Sequence, residues 1–335
     1  MSVLFVDGCD HYVSAEIPRK WTANSGGTIV AAGRRTGSKA LTLASSSLYV
    51  MKQLPAAYTT LVVGCGIMLS PMPGTAIAPI RFRNNGNGQC CLTINANGSI
   101  SFVRGLFAGG TTVETSAIGL IQANRWYHIE VKVVFHDSTG TYEVRLNGTD
   151  VLSGSGVDTE GDAADGADQI YFGVGENSIT VSLDDIFVAE DWQGDCRVDT
   201  LMPTGAGTAT QWTPNTGANY AAVDDSGDSD DDTTYVADST AGHIDTYAFG
   251  DLEATGGTIK AVAVNVACRK DDAGARTVKG VVDSGTTVDS HATAQSVLDA
   301  YSVLQFIWET DPDTSAEAFT EATVNGAEFG QEMEA

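Results

Sequence analysis

Residues 126–151 read Trp126-Tyr127-His128-Ile129-Glu130-Val131-Lys132-Val133-Val134-Phe135, then His136-Asp137-Ser138-Thr139-Gly140-Thr141, then Tyr142-Glu143-Val144-Arg145-Leu146-Asn147-Gly148-Thr149-Asp150-Val151. Ile129, Val131, Val133 and Phe135 alternate with His128, Glu130 and Lys132. A period of two puts the first row on the buried face of a strand and the second on its outward face. Tyr142, Val144 and Leu146 repeat the pattern before the chain turns at Asn147-Gly148. Asn-Gly suits a type I′ turn, whose two central residues both need positive φ, so the stretch predicts a hairpin. The same arrangement occurs upstream, where Leu92-Thr93-Ile94 enters Asn97-Gly98 and Ile100-Ser101-Phe102-Val103 leaves it. The chain is therefore expected to be all-β, built of antiparallel sheets.

At 335 residues it is long for one sandwich and comfortable for two. The alternation continues to a strand at 178–189, where Ile179, Val181 and Leu183 precede Asp184-Asp185-Ile186-Phe187-Val188. The polar stretch Glu190-Asp191-Trp192-Gln193-Gly194-Asp195 then reads as a connection. This predicts two β-sandwich, jelly-roll-like domains in tandem, 1–192 and 193–335. In the second, Gly257–Arg269 is a strand with Val262, Val264, Val266 and Cys268 facing inward and Ala261, Ala263, Asn265 and Ala267 facing out. Leu304, Phe306 and Trp308 mark another strand, and 315–326 one or two helical turns.

Forty-three acidic residues against 18 basic ones give a net charge of −25. That charge disfavours partnership with nucleic acid or an anionic membrane and favours solubility. No run approaches the ~20 apolar residues that span a bilayer, and the first residues have no basic, signal-like region. No membrane insertion and no cleaved leader are expected. The cysteines (Cys9, Cys65, Cys90, Cys91, Cys196 and Cys268) form no C-x-x-C pair, and reduced, buried thiols are the expectation.

The acidic loop 224–232 offers Asp224, Asp225, Asp228 and Asp230 as hard oxygen ligands for calcium, without the spacing of an EF-hand. No other cofactor is expected. Glu160-Gly161-Asp162-Ala163-Ala164-Asp165 superficially resembles a glycosidase acid strand, but its Gly/Ala/Asp-rich setting argues for a loop, and a carboxylate pair needs a rigid strand. The histidines (His11, His128, His136, His243 and His291) show no metal-ligand spacing, and His128 falls on an outward strand face. Trp126 and Trp308 are expected in cores. Trp192 and Trp212 flank the domain junction. No Walker A loop, nucleophile elbow or strand-to-helix G-x-G-x-x-G is present, which leaves no catalytic residue to name.

Several motifs occur together: Leu4-Phe5-Val6-Asp7-Gly8 with Asp10-His11-Tyr12, Lys20-Trp21, Arg125–Glu130, Glu143–Gly148 and Leu183–Val188. In this order they resemble the laminin G-like, concanavalin A-like jelly rolls of tailed-bacteriophage structural modules. Gly194–Pro203, Gln211–Pro214 and Ala267–Gly274 resemble the β-rich domain that follows the jelly roll in such proteins. The resemblance implies a non-enzymatic virion structural protein of a tail tip, baseplate or fibre. It would be a homo-oligomer held by other virion proteins, would read a host-surface glycan by avidity, and would be found on the virion. Head decoration is the alternative. The small-residue face at Ala261, Ala263 and Ala267 reads as a close-packing contact in an oligomer or, equally well, as an ordinary sheet-on-sheet contact.

Overall fold

The computed structural model describes residues 2–45, 48–175, 179–225, 227–314 and 317–335. The chain is all-β with several antiparallel sheets. It divides into two compact units, Met1–Val198 and Asp199–Ala335. Residues 193–198 are bonded to the first unit: the Gly194 amide donates to Glu130 and the Val198 amide to Asp185.

The first unit is a sandwich. One sheet runs, in spatial order, Thr149–Val157, Gly140–Leu146, Tyr127–Val134, Thr60–Ser70, Thr180–Ala189, Ala40–Leu43 and Thr28–Val30, and Val3–Asp7 also pairs with Thr180–Ala189. The other runs Thr111–Thr115, Ile100–Arg104, Asn87–Ile94, Ile77–Asn84, Ala167–Gly173, Tyr49–Tyr58 and Ala23–Asn24. Between them lies one core in which Ile129, Val131, Val133, Val144, Phe82, Phe102, Phe172 and Leu183 are buried, as the alternation requires. Burying each such side chain contributes roughly 1.5–3 kcal/mol. The sheet edges are short or irregular. Ala23–Asn24 has two residues and Thr28–Val30 three, Thr111–Thr115 carries a register shift, and Thr149–Val157 pairs through two shifts and contains Gly154 and Gly156.

Asn147-Gly148 forms the expected type I′ turn, with φ of 50° and 79°. At Asn97-Gly98 the expectation is corrected. Only Gly98 has positive φ, 75°, and its amide donates to Asn95 O while Asn95 N–H donates to Ser99 O. This is a three-residue loop with a left-handed glycine. A second type I′ turn sits at Asn85-Gly86, φ 47° and 87°, joining Ile77–Asn84 to Asn87–Ile94.

In the second unit a six-stranded sheet runs Pro203–Thr210, Ile244–Phe249, Glu328–Met333, Thr277–Asp283 and Val288–Ser290, with Gln295–Ser296 also on Thr277–Asp283. A two-stranded ribbon, Val262–Cys268 with Ser302–Trp308, covers it. The Phe306 side chain lies so close over Gly280 that a Cβ there would come within 2.8 Å of it. Val264, Phe306, Trp308, Val278, Phe329 and Met333 form the core, while Asn265 and Ala267 are exposed on the ribbon's other face. One short helix, Glu321–Gly326, is capped by the Thr320 side chain, which accepts from Thr323 N–H. Residues 315 and 316 of the expected helical turns lie outside the described residues.

Candidate functional site

Polar side chains gather at three places in the first unit, and each has a different degree of internal satisfaction. The first is an end of the core. Asp7 is fully buried and accepts from Tyr12 Oη (2.6 Å), Trp21 Nε1 (2.8 Å), Lys20 Nζ (3.2 Å) and the Cys9 amide (3.0 Å). Burial alone would raise its pKa, but Lys20, His11 and these donors outweigh burial and hold it below the usual value. Burial and then the Lys20 charge push His11 down to about 3, and the same causes bring Lys52 down to about 8. The motif residues Asp7, His11, Tyr12, Lys20 and Trp21 thus meet as a saturated structural knot, with no bonding capacity left on Asp7 for a ligand.

The second place is the outer face of the first sheet. Arg34 holds Asp195 through two bonds, 2.5 and 2.7 Å, while its amide donates to Asp184 (2.7 Å). Arg35 binds Asp185, and Ser38 Oγ donates to Asp184. Glycines make room for this layer: a Cβ on Gly64 would meet the Phe187 ring at 2.2 Å, and one on Gly66 the Arg34 Cδ at 2.8 Å. His128 is on the outer face, as its alternation requires, yet it is completely buried. It stacks on Phe187 and sits 3.6 Å from Glu130 and 3.5 Å from Asp195. An outward position does not mean solvent here, because residues 190–198 lie over the strand. Trp192 belongs to the same cover, with the Arg145 guanidinium 3.8 Å from its ring centre, beside a hollow of about 430 Å³ lined by Lys132, Glu143 and Ser153. Burial, and then the Asp185 charge, push Asp184 up to about 6.

The third place is the outer face of the second sheet, where the polar side chains are half-buried. Register places Met51, Tyr171, Arg81, Cys91 and Val103 in one row across five strands, with Gln53, Gln169 and Arg83 in the next. Their strand neighbours Phe82, Ile170 and Phe172 point into the core, so Arg81, Arg83, Gln169 and Tyr171 must point out. Tyr49 and Tyr171 contact each other at 5.3 Å with planes tilted 46°, and the Arg83 guanidinium lies 4.3 Å from the Tyr171 ring centre. Arg81 Nε donates to Ala78 O at 3.0 Å. Its guanidinium occupies space left by glycines: a Cβ on Gly173 would be 3.1 Å from Arg81 Nη2, and one on Gly175 3.5 Å. Burial, joined by the nearby Arg83 charge, lowers the Arg81 pKa. Arg83 Nε is buried without a hydrogen-bond partner. Among the described residues neither guanidinium is within salt-bridge distance of a carboxylate, whereas Arg34, Arg35, Arg104, Arg145, Arg269 and Arg276 all are. Phe107, packed against Ala78, Cys91 and Val103, bounds this face with an apolar wall.

Sequence reasoning did not single out this face. Its signal was present in the alternations Arg81-Phe82-Arg83 and Gln169-Ile170-Tyr171-Phe172. The residues it did single out lie elsewhere. Of the calcium candidates, Asp225 accepts from the Asp230 amide (3.1 Å) and Asp230 accepts from Thr234, while Asp224 and Asp228 are not gathered with them. Among the described residues no group of three histidine, cysteine or acidic side chains is arranged to hold a metal ion. Glu160 is buried in a loop and accepts from the Gly166 amide, and Asp162 accepts from Gln89. No disulfide joins any of the six cysteines among the described residues. Trp308 is in a core and Trp126 only half-buried, while Trp212 packs on the second core and donates to His243 O. No helix among the described residues is long and apolar enough to cross a membrane.

No family model and no curated protein matches the chain. Solved structures do resemble it in part. A carbohydrate-binding module (CBM66) from Bacillus subtilis is 14% identical, with 50% of this chain and 94% of that one covered at a TM-score of 0.34. The alginate lyase Aly36B is 13% identical, with 57% and 94% covered at 0.37. A carbohydrate esterase from the Shiga toxin-encoding bacteriophage phi24B is 14% identical, with 56% and 100% covered at 0.36. These are β-sandwich proteins, one of them from a phage. The expectation of a non-enzymatic chain is corrected here, since two of the three are enzymes, and a sandwich without a familiar motif is no ground for excluding catalysis. At such identities and TM-scores the likeness assigns none of their activities to this chain.

Proposed function

We propose that the first unit recognises carbohydrate on the outer face of its second sheet, and that the chain does so as a surface component of a tailed-phage particle. One observation carries the first part: a row of half-buried tyrosine, arginine and glutamine side chains on this face is unpaired by carboxylates among the described residues, on a chain of net charge −25. Aromatic rings pack on the C–H faces of sugar rings, and guanidinium and amide groups bond hydroxyls in fixed geometry. The strands hold these groups rigidly, which lowers the ordering cost of binding. The order of jelly-roll motifs from Leu4 to Val188 supports the particle assignment, with other virion proteins as partners and many copies supplying avidity.

The test is binding of the whole chain to a panel of bacterial surface glycans, measured alongside Tyr171→Ala. The variant is expected to lose about tenfold or more in affinity, with its melting temperature nearly unchanged. Retained affinity would remove this face from the reading. Each glycan that binds is then assayed for new reducing ends, which decides whether recognition leads to turnover. Locating the chain in density of purified particles tests the second part, and absence from the particle would refute it.

A further inference from the structure

We infer that the saccharide taken by this face is anionic and carries a carboxylate that Arg81 and Arg83 receive together. The inference rests on the carbohydrate reading and adds the charge of its ligand. Arg81 and Arg83 are two residues apart on Ile77–Asn84, so their side chains leave the same face of one strand. They stand beside Tyr171 and Gln169 respectively in the adjacent strand. Two neighbouring cations repel one another, and each is partly withdrawn from water. Elsewhere in the unit the chain meets that situation with acids, as Asp185 and Asp195 do for Arg34 and Arg35. Here no carboxylate among the described residues answers, although the chain has 43 acidic residues to draw on. Arg83 Nε lacks a hydrogen-bond partner, and an unmet buried donor on a charged group is costly.

The arginines are also pre-set. Arg83 is stacked on Tyr171, and Arg81 is fixed by Ala78 O and by the space that Gly173 and Gly175 leave open. A carboxylate is planar and accepts two parallel N–H bonds from one guanidinium, so it supplies the missing charge and the missing acceptors together. The tyrosines and Phe107 would meet the apolar side of the same sugar. A neutral sugar could use the rings but would leave the two cations uncompensated.

The deciding experiment measures the whole chain by calorimetry against a tetra-galacturonate and against its methyl ester, which has the same skeleton without the charge. Sialyllactose and lactose form a second pair, to separate an in-chain uronate from a terminal sugar acid. The wild type is expected to prefer at least one acid over its neutral counterpart by about tenfold or more. R81Q/R83Q is expected to abolish that preference, so that acid and neutral forms bind alike, with the melting temperature nearly unchanged. Equal binding of acid and neutral forms overturns the inference but leaves the carbohydrate reading standing. An acid preference that survives in R81Q/R83Q overturns the assignment to these arginines. Failure to bind any sugar, here or on the panel, overturns the reading and the inference together.

Discussion

The two outer faces of the first unit carry similar side chains to opposite ends. On the first sheet, arginines, a histidine and an indole are consumed by the protein itself. Arg34 and Arg35 are held by acids, and His128 and Trp192 lie in or under the segment 190–198. On the second sheet, Arg81, Arg83, Tyr49 and Tyr171 have each other and little else. The residue types alone would nominate either face, and the first has the more chemically suggestive set. What separates them is charge pairing and cover. Arg34 and Arg35 meet carboxylates, although His128 Nδ1 and Nε2, Glu130 Oε2 and Asp185 Oδ2 beside them are buried without hydrogen-bond partners. Arg81 and Arg83 meet no carboxylate among the described residues.

The largest expected difference comes from breaking the sealed face. Asp185 is buried and serves Arg35 and the Val198 amide, so Asp185→Ala strands a cation beneath the cover. Removing one partner of a buried pair costs about 3–5 kcal/mol. Calorimetric melting should register a fall of roughly 6 °C or more. A loss below about 1 kcal/mol would mean the ionic layer is not what fastens residues 190–198. Next in size, Gly64→Ala drives a methyl into the Phe187 ring, which overpacking data price at about 1–3 kcal/mol. Gly66→Ala meets the Arg34 stem at 2.8 Å and the Asp184 carbonyl oxygen at 3.3 Å, looser contacts than at Gly64, and should be milder. If the order reversed, the cover would be rigid at Arg34 and yielding at Phe187.

The open face should behave the other way. R81Q/R83Q, which removes both cations, is expected to leave the melting temperature within about 2 °C, corresponding to about 0.5 kcal/mol or less. A large drop would mean these arginines are structural after all. A modest effect, back on the sealed face, concerns protons. Because Asp184 is raised to about 6 in the fold, the native state holds more protons than the unfolded chain between its ordinary value of 3.8 and 6. Its contribution to stability therefore falls as pH rises through that window and stays lost above it. Asp184→Asn should gain on the wild type by on the order of 1 kcal/mol between pH 4 and pH 6, with a flat difference beyond. A difference that does not change across the window would place its titration elsewhere.

The fold was legible where the signal is local. Alternation at Ile129–Phe135 and Tyr142–Leu146 needs only neighbours two residues away, and Asn147-Gly148 needs only its own φ preference. Asn97-Gly98 misled because the same dipeptide also closes a three-residue loop, and the choice depends on where Asn95 and Ser99 pair. Asn85-Gly86 carried the type I′ signal unread, at the end of the strand Ile77–Asn84. The candidate site was much less legible. Periodicity places Arg83 and His128 equally on outward faces, but whether an outward face meets water depends on distant chain. Asp195 reaches His128 from 67 residues along the sequence, counting from 128 to 195, and no residue near His128 announces it. Asp7, Tyr12 and Trp21 were among the motifs that carry the resemblance, and they proved to be a buried structural knot.

The short and irregular sheet edges described above govern what this chain can safely do when crowded. A straight, unpaired strand offers a ready template on which another chain can lay down β-structure. Ala23–Asn24 and Thr28–Val30 are too short to offer one, while Thr111–Thr115 and the glycine-bearing Thr149–Val157 are broken by register shifts. Copies held at high local concentration are thereby steered away from runaway edge-to-edge growth, and association is left to the faces, where side chains and not backbone decide the partner.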